Sequence, residues 1–197
     1  MSHAPSIAFS HVGIYVSNLA RMENFYTKFL GFTVTDRGEL DTPRGVVNLV
    51  FLSRDPTEHH QIVLATGRPA EPGFNTINQI SFRVDSLATL RGLYQGMVEG
   101  EMCGEMSEVS PASHGNALSV YARDPEGNRL ELFVDTPWYV NQPLRVPFDF
   151  SLDDTQLWAW AERHAKSLPG FKPRALWVHE MSIRMGLVPS ASEQALV

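Results

Sequence analysis

The sequence predicts an α+β fold in which two βαβββ modules form a paired half-barrel, with a C-terminal helical extension. Three observations predict this class. The segment at 11–19 (HVGIYVSNL) returns 68 residues later at 79–87 (QISFRVDSL). Each copy is followed by the same succession of helix-like and strand-like patterns. Beyond Thr136 the pattern changes to a stretch rich in proline and aromatic residues, and then to helical spacing.

The first module is predicted as strand, helix, strand, strand, strand. Residues 7–16 carry the β-branched and aromatic residues of a strand. Asn18 suits a helix N-cap, apolar residues follow at helical spacing, and Gly31 suits a C-terminal stop. Three further strands are expected at 32–35, 46–52 and 59–65, with turns at 38–44 and 55–58.

The second module repeats this order after a linker at 67–73 that contains two prolines and two glycines. A strand is predicted at 77–84, and Asp85 or Ser86 is expected to cap the helix that follows. The apolar face of that helix is predicted to hold Leu87, Leu90, Tyr94, Met97 and Val98. Further strands are predicted at 106–109, 118–122 and 129–134, with a hairpin turn at 125–128.

The predicted domain organisation is a duplicated domain at 6–140, with modules at 6–67 and 76–136, followed by a C-terminal part at 141–197. This last part should contain an extended arm and two helices, near 155–168 and 177–185. It is too short to bury a core of its own. We therefore expect it to pack on the duplicated domain or on a partner subunit.

Composition limits the classes of partner. The chain has 197 residues, a net charge of −6 and 43% hydrophobic residues, which is typical of a globular protein. The negative charge argues against a nucleic acid or an anionic membrane surface as partner, and leaves a small-molecule substrate. The single Cys103 indicates a reducing cytoplasm. Residues 1–5 show no signal-peptide pattern, and no apolar run approaches the roughly 18 residues of a membrane span.

Four polar side chains occupy related positions in the two modules and predict a cation site. Gln79 is the equivalent of His11. The ungapped partner of Glu131 is Ile62, which lies two residues from His60 and thus on the same face of a strand. Glu131 lies within an apolar strand, where a carboxylate needs a metal ion or a buried arginine as partner. His11, His60, Gln79 and Glu131 could therefore surround one cation.

Each of these residues also has a purely structural interpretation. His11 alone could be a core histidine bonded to the backbone, and His59 with His60 could form an exposed pair at a turn. Gln79 could bond a neighbouring strand, and Glu131 could belong to a structural ion pair. Their combination with the duplication favours the metal site.

Several motifs resemble the vicinal oxygen chelate superfamily over residues 6–140. They are the opening HVGIYV, the helix at 25–32 (FYTKFLGF) and the segment at 123–132 (RDPEGNRLEL). That superfamily includes glyoxalases, methylmalonyl-CoA epimerases, fosfomycin and bleomycin resistance proteins, and extradiol dioxygenases. Two details are similar to the extradiol dioxygenase branch: a double-histidine strand at 58–64 (EHHQIVL) and the exit segment at 135–140 (DTPWYV).

The resemblance implies roles for these residues. His11 and Glu131 would be iron ligands, and His60 would transfer protons. Gln79 departs from the pattern, because the dioxygenases have a second histidine ligand there. A glutamine amide oxygen is neutral like imidazole but binds Fe(II) less well. Fe(II) is the expected cofactor, with Mn(II), Zn(II) or Ni(II) as alternatives.

Three functions remain open from the sequence. The first is a metal-dependent extradiol-type dioxygenase acting on a catechol-like aromatic diol, with Tyr121, His114, Asn116 and Trp138 predicted to bind the substrate. The second is a glyoxalase- or epimerase-like lyase or isomerase. Such an enzyme usually needs a second carboxylate, and the strand of His60 offers none. The third is a non-catalytic ligand-binding protein with a degenerate metal site. A homodimer is expected in each case.

Overall fold

The computed structural model describes residues 7–43, 45–71, 73–100, 102 and 104–187. These residues form eleven strands, four α-helices and a π-helical segment. In chain order they are β1 Val12–Val16, α1 Leu19–Asn24, the π-helical segment Phe25–Phe29, β2 Thr33–Thr42, β3 Gly45–Ser53, β4 Ile62–Thr66, β5 Ile80–Arg83, α2 Leu87–Val98, β6 Ser107–Ser113, β7 Ala117–Arg123, β8 Arg129–Asp135, β9 Trp138–Tyr139, β10 Val146–Pro147, α3 Asp154–Lys166, β11 Lys172–Pro173 and α4 Arg174–Arg184. The predicted α+β class and the βαβββ order of both modules are confirmed.

The chain folds as two compact units. The first holds the residues up to Asn78 together with Asp124–Asn128, and the second holds Gln79–Arg123 and the residues from Arg129 onward. The sheet of the first unit has the order β1-β4-β3-β2, and the sheet of the second has β10-β6-β7-β8-β5. In both, the first strand of the module pairs in parallel with the fourth, and the other pairs are antiparallel. The duplication therefore extends to strand order and direction.

The first unit is organised around the start of α1. The side chain of Asn18 accepts a hydrogen bond from the backbone N–H of Arg21 at 3.0 Å, so the predicted N-cap is confirmed. Behind it, Met22, Phe25 and Tyr26 are buried. Burying a side chain of this size contributes about 1.5–3 kcal/mol relative to leaving it in water.

The turn between β7 and β8 belongs to the first unit and carries Glu126. Its carboxylate accepts hydrogen bonds from the backbone N–H groups of Ser17 and Asn18 at 2.7–2.9 Å. Arg68 lies 3.1 Å from the same carboxylate and forms an ion pair with it. A carboxylate in this place satisfies N–H groups that precede a helix and have no partner within it.

The second unit has its core between α2 and one face of its sheet. Ser86 caps α2 by accepting from the N–H of Thr89 at 3.1 Å, as one of the two predicted caps. Leu87, Leu90 and Met97 are buried, as expected for the apolar face of this helix. The buried sheet face contributes Leu118, Val120, Leu130 and Leu132.

The C-terminal segment packs on α2 within the second unit. Arg91 of α2 donates to Asp154 Oδ1 at 2.7 Å and to the backbone carbonyls of Phe150 and Leu152 at 2.6 Å. A capping box between Asp153 and Gln156 starts α3. The predicted extended arm and the two helices are thus present, while the domain boundary at residue 140 stays a prediction.

Five predicted strands have wrong boundaries. β5 covers Ile80–Arg83 rather than 77–84, so Gln79 precedes its strand. β1 begins at Val12 rather than at 7, and β4 begins at Ile62 rather than at 59, so His11 and His60 precede their strands. Residues 38–42 belong to β2 instead of a turn, and β6 covers 107–113 rather than 106–109. The polar residues of β2 suggested a turn, but nearly all of this edge strand is exposed and tolerates them.

Two sequence predictions concern residues that the structure does not describe. The segment 1–5, which shows no signal-peptide pattern, lies outside the described residues, and so does Cys103. Within the described part of the chain, no helix combines the length and the apolar character needed to span a membrane.

Candidate functional site

Glu131 is the buried polar centre of the second unit. It lies on β8 and its side chain projects from the sheet face opposite to the one that packs on α2, and the residue is 8% exposed. One carboxylate oxygen accepts from the hydroxyls of Ser119 and Tyr121, each at 2.8 Å. The other accepts from the Gln79 amide and the Ser81 hydroxyl, each at 2.7 Å. All four donors are neutral groups.

The strand register explains this arrangement. Ser81 of β5 and Tyr121 of β7 lie directly opposite Glu131, one on each side. Ser119 comes two residues before Tyr121 and therefore points to the same face. Ser81 and Ser119 were not among the predicted site residues. The sequence could have indicated them only through the alternation of side chains along a strand, which places every second residue on one face. That alternation identifies neighbours of Glu131 only when it is known which strands pair.

Tyr121 links Glu131 to His114. The Tyr121 hydroxyl lies 2.8 Å from His114 Nε2, and that nitrogen lies 3.6 Å from Glu131 Oε1. The other ring nitrogen of His114 contacts the backbone carbonyl of Leu144. Burial of the phenol, followed by its hydrogen bond to Glu131, raises the pKa of Tyr121 to about 12. Tyr121 therefore keeps its proton at neutral pH.

These contacts form one line of polar groups that runs from the Leu144 carbonyl through His114 and Tyr121 to Glu131.

In the first unit, the candidate site residues His11 and His60 lie together with His59 in a group of imidazoles. The rings of His11 and His60 have centroids 4.2 Å apart, and the Nδ1 atoms of His59 and His60 are 2.8 Å apart. The ring of Phe51 lies 5.2 Å from that of His60. Partial burial, followed by the charges of His11 and His59, lowers the pKa of His60 below its usual value.

The expected equivalence between Ile62 and Glu131 is wrong. In the first sheet Val12 lies opposite Ile62, and in the second Ile80 lies opposite Leu130, so the counterpart of Glu131 is Val63. The interval from the Arg-Asp-Pro sequence to the paired strand position is one residue longer in the first module (Arg54 to Ile62) than in the second (Arg123 to Leu130), and this shifts the register. The argument from side-chain alternation therefore does not connect His60 with Glu131.

The remaining predicted substrate residues, Asn116 and Trp138, make their hydrogen bonds around Gly115, the residue that follows His114. The backbone carbonyl of Asn116 accepts from the N–H of Thr136 at 3.1 Å and from the Arg174 guanidinium. Trp138 is buried, donates its indole N–H to the carbonyl of Gly115 at 2.6 Å, and packs edge-on against Trp158. The second unit thus brings Gln79, His114, Tyr121 and Glu131 together, and their roles stay predictions.

The side chains around Glu131 suit a divalent cation in their chemistry. Four neutral donors surround a buried carboxylate, and a cation would supply the opposite charge they lack. The Gln79 amide is in hydrogen-bond contact with that carboxylate, an adjacency that two ligands of one ion need. Among the residues that the structure describes, however, no three His, Cys, Asp or Glu side chains form a group that could hold a metal.

Comparison with known proteins agrees with the fold. The chain is 27% identical over 158 residues to biphenyl-2,3-diol 1,2-dioxygenase 2 of Rhodococcus globerulus, covering 72% of this chain and 76% of that protein. The structure of a glyoxylase/bleomycin resistance protein/dioxygenase domain from Frankia sp. EAN1pec is 22% identical, with a TM-score of 0.51, over 67% of this chain and 100% of that one.

Fosfomycin resistance protein FosX from Mesorhizobium loti is also similar, at 19% identity and a TM-score of 0.48, over 66% of this chain and 92% of that one. The family model of the Glyoxalase/Bleomycin resistance protein/Dioxygenase superfamily matches residues 8–132, which contain both βαβββ modules up to β8. The chain therefore belongs to the Glyoxalase/Bleomycin resistance protein/Dioxygenase superfamily, the vicinal oxygen chelate proteins.

Proposed function

We propose that this protein is a metal-dependent extradiol-type dioxygenase, which opens the ring of a catechol-like aromatic diol with molecular oxygen. The observation that carries the proposal is the buried Glu131 carboxylate held by neutral donors beside the Gln79 amide. The similarity of this chain to a protein named as a biphenyl-2,3-diol dioxygenase supports the choice of an aromatic diol as substrate.

The proposed ligands are His11, Gln79 and Glu131, and the proposed ion is Fe(II), with Mn(II), Zn(II) or Ni(II) as alternatives. When bound, a divalent cation stabilises the ionised form of the diol and so favours loss of its hydroxyl proton near neutral pH. Imidazole and carboxylate donors suit Fe(II) with open positions for other ligands. Gln79 is the weakest donor of the three and makes retention of the metal the critical measurement.

His60 is the proposed acceptor of the substrate proton. Its lowered pKa keeps the imidazole neutral at neutral pH, which leaves a lone pair free to take a proton. Tyr121, with its raised pKa, keeps its own proton and continues to donate to Glu131. Tyr121, His114, Asn116 and Trp138 are proposed to contact the substrate, with His114 also fixing the position of the Tyr121 hydroxyl.

Oxygen uptake tests the proposal directly. Protein loaded anaerobically with Fe(II) is given catechol, 3-methylcatechol or biphenyl-2,3-diol, and oxygen is followed with an electrode. We expect one oxygen molecule consumed per diol, with a yellow ring-opened product. Absence of uptake with every diol, on protein that retains iron, would contradict a dioxygenase.

Three variants separate metal binding from catalysis. Glu131→Gln should abolish both iron retention and oxygen uptake, whereas Glu162→Gln, an exposed carboxylate on α3, should leave both unchanged. Gln79→His should increase iron retention, because imidazole is the better ligand. His60→Gln should retain iron but lose activity. If Gln79→His changes neither iron retention nor activity, residue 79 is not a ligand.

A second candidate function is non-catalytic ligand binding, and one observation favours it. Each oxygen of Glu131 already accepts two hydrogen bonds, so the carboxylate is satisfied without a cation. This candidate predicts that diols raise the melting temperature of chelator-treated protein and that Fe(II) adds nothing. The dioxygenase proposal predicts that diols stabilise the metal-loaded protein much more strongly.

We retain two further proposals from the sequence. The cytoplasmic location follows from the use of a single cysteine in the 197 residues, and fractionation of the native host tests it. The homodimer can be examined by sedimentation, and the structure suggests a specific surface for it.

A further inference from the structure

Among the residues that the structure describes, no strand pairs with the outer edge of the first sheet. β2 is ten residues long, lies at the end of the order β1-β4-β3-β2, and is exposed over nearly all of its length. An edge strand presents a row of backbone N–H and C=O groups that can pair with another strand. The apolar side chains of Leu40 on β2 and Val46 on β3 are also more than half exposed.

The corresponding edge of the second sheet is covered by the chain itself. β6 occupies the place in the second sheet that β2 has in the first. There β10 of the C-terminal arm pairs with it, with Val146 opposite Ser113 and Pro147 opposite Ala112. Of the two equivalent edges, the described part of the chain covers that of β6 with its arm and places no strand against that of β2. β2 can therefore pair with a strand from another molecule.

The charges of β2 are complementary to a second copy of β2. When two copies run antiparallel with Gly38 at the twofold axis, Arg37 lies opposite Glu39 of the partner subunit, and the reverse pair forms by symmetry. Arg37 already pairs with Glu23, but a guanidinium has five N–H donors and can hold two carboxylates. Charges of opposite sign that face each other directly across two strands, on one face of the sheet, stabilise the pairing of those strands.

Alternative registers place like charges opposite each other. Two copies of one edge can pair only in steps of two residues, since the outward backbone groups recur at every second position. A twofold axis through Arg37, Asp36 or Glu39 would place that charged residue directly opposite its own copy in the partner subunit. An axis through Leu40 would place Glu39 of one copy opposite Asp41 of the other. The register through Gly38 is the one of these five that pairs opposite charges and avoids like ones.

Gly38 suits the axis for a second reason. A Cβ added there meets no described atom within 4 Å, so the backbone lies in open space. On the same face, Leu40 can cover the glycine of the other copy, since diagonal neighbours in adjacent strands are in reach of long side chains.

We propose that β2 is a homodimer interface in which two copies of the chain join their first sheets by antiparallel pairing about Gly38. The occupant of the edge is thus a second copy of this chain, in an isologous contact. The inference does not depend on the proposed enzymatic function.

Cysteine cross-linking tests the register. In a Cys103→Ser background, Gly38→Cys places two thiols across the axis, where opposite Cα atoms are about 4.5–5.5 Å apart and a disulfide fits. Leu40→Cys is the matched control, because its two copies would lie about 13 Å apart along the strands. We expect Gly38→Cys to form covalent dimers at least about tenfold faster under mild oxidation. Equal rates, or no dimer from either variant, would overturn the proposal.

Charge reversal gives an independent readout by sedimentation of the full-length protein. Glu39→Arg should raise the dissociation constant of the dimer at least about tenfold, because two favourable pairs become two repulsive ones. The double variant Arg37→Glu/Glu39→Arg restores opposite charges across the axis and should recover most of the affinity. Glu71→Arg, an exposed reversal outside the strand, is the control. A monomeric wild type, or a dimer indifferent to Glu39→Arg with an unchanged melting temperature, would refute the interface.

Discussion

Replacing Tyr121 by phenylalanine should change stability in a way that depends on pH. At about pH 8 the variant loses the hydroxyl that donates to Glu131 and contacts His114, which should cost about 2–3 kcal/mol because one partner is charged. The pKa of Tyr121 is about 12 in the folded protein and about 10 in an unfolded chain. The folded state therefore holds the phenolic proton more tightly than the unfolded state.

The sign follows from this difference. A group with a raised pKa stabilises the folded state fully below its unfolded pKa, and the contribution is lost as the pH rises through the folded pKa. At about pH 11 the phenol is mostly ionised in the unfolded chain and mostly protonated in the folded one. The wild type should by then have lost about 1.4 kcal/mol through Tyr121, roughly one pKa unit at 1.36 kcal/mol each, and the phenylalanine variant should lose nothing by this route.

Urea unfolding of both proteins at several pH values measures the effect. Chelator is present throughout, so that no cation competes for Glu131. The difference in unfolding free energy between wild type and Tyr121→Phe should shrink from about 2–3 kcal/mol near pH 8 to about 1 kcal/mol near pH 11. Other titrating groups cancel in the difference. A difference that stays constant over this range would refute the raised pKa of Tyr121 in the folded protein.

Three further outcomes are expected from urea unfolding. Arg91→Ala should lower the free energy of unfolding by about 2–4 kcal/mol, because it removes three charge-assisted hydrogen bonds to the C-terminal segment. A loss under about 1 kcal/mol would show that other contacts hold this segment on α2. Gly115→Ala should lower the free energy of unfolding far more than Gly127→Ala. Both glycines have a positive φ, but only at Gly115 would the new Cβ lie 2.3 Å from a side-chain atom of Val140. Equal costs at the two positions would contradict that overlap. Burial raises the pKa of Asp124, so its contribution to stability should be largest below about pH 3.8, the ordinary pKa of aspartate, and should decline as the pH rises above that value. The free-energy difference from Asp124→Asn should change in that direction.

The duplicated architecture could be predicted because it is encoded in apolar spacing. Strands such as β3 and β8 carry apolar residues at their buried positions, and helix caps such as Asn18 have a recognisable residue type. β2 has no such signal. Nearly all of its residues are exposed, so they are not selected for apolar character. Gly38 and its polar neighbours therefore resemble a turn, although they continue the strand.

The candidate site could be predicted only in part, since it depends on register. Glu131 was recognisable as a carboxylate inside an apolar strand, and it is buried with its charge fully hydrogen-bonded. Its donors Ser81 and Ser119 are ordinary residues whose importance comes from the strands beside them. One extra residue between the Arg-Asp-Pro sequence and the paired strand position of the first module was enough to assign Ile62 instead of Val63 as the counterpart of Glu131.

The position of Glu126 has a consequence for how such genes can be shortened or recombined. A fragment that stops at Asn78 would leave the amide groups at the start of α1 without their acceptor and Arg68 without its counter-ion, because the Glu126 carboxylate that serves both lies some fifty residues further along the chain. The ancestral halves have therefore ceased to be interchangeable parts. Shuffling one half between relatives should succeed only when the donor supplies the loop at 124–128 as well.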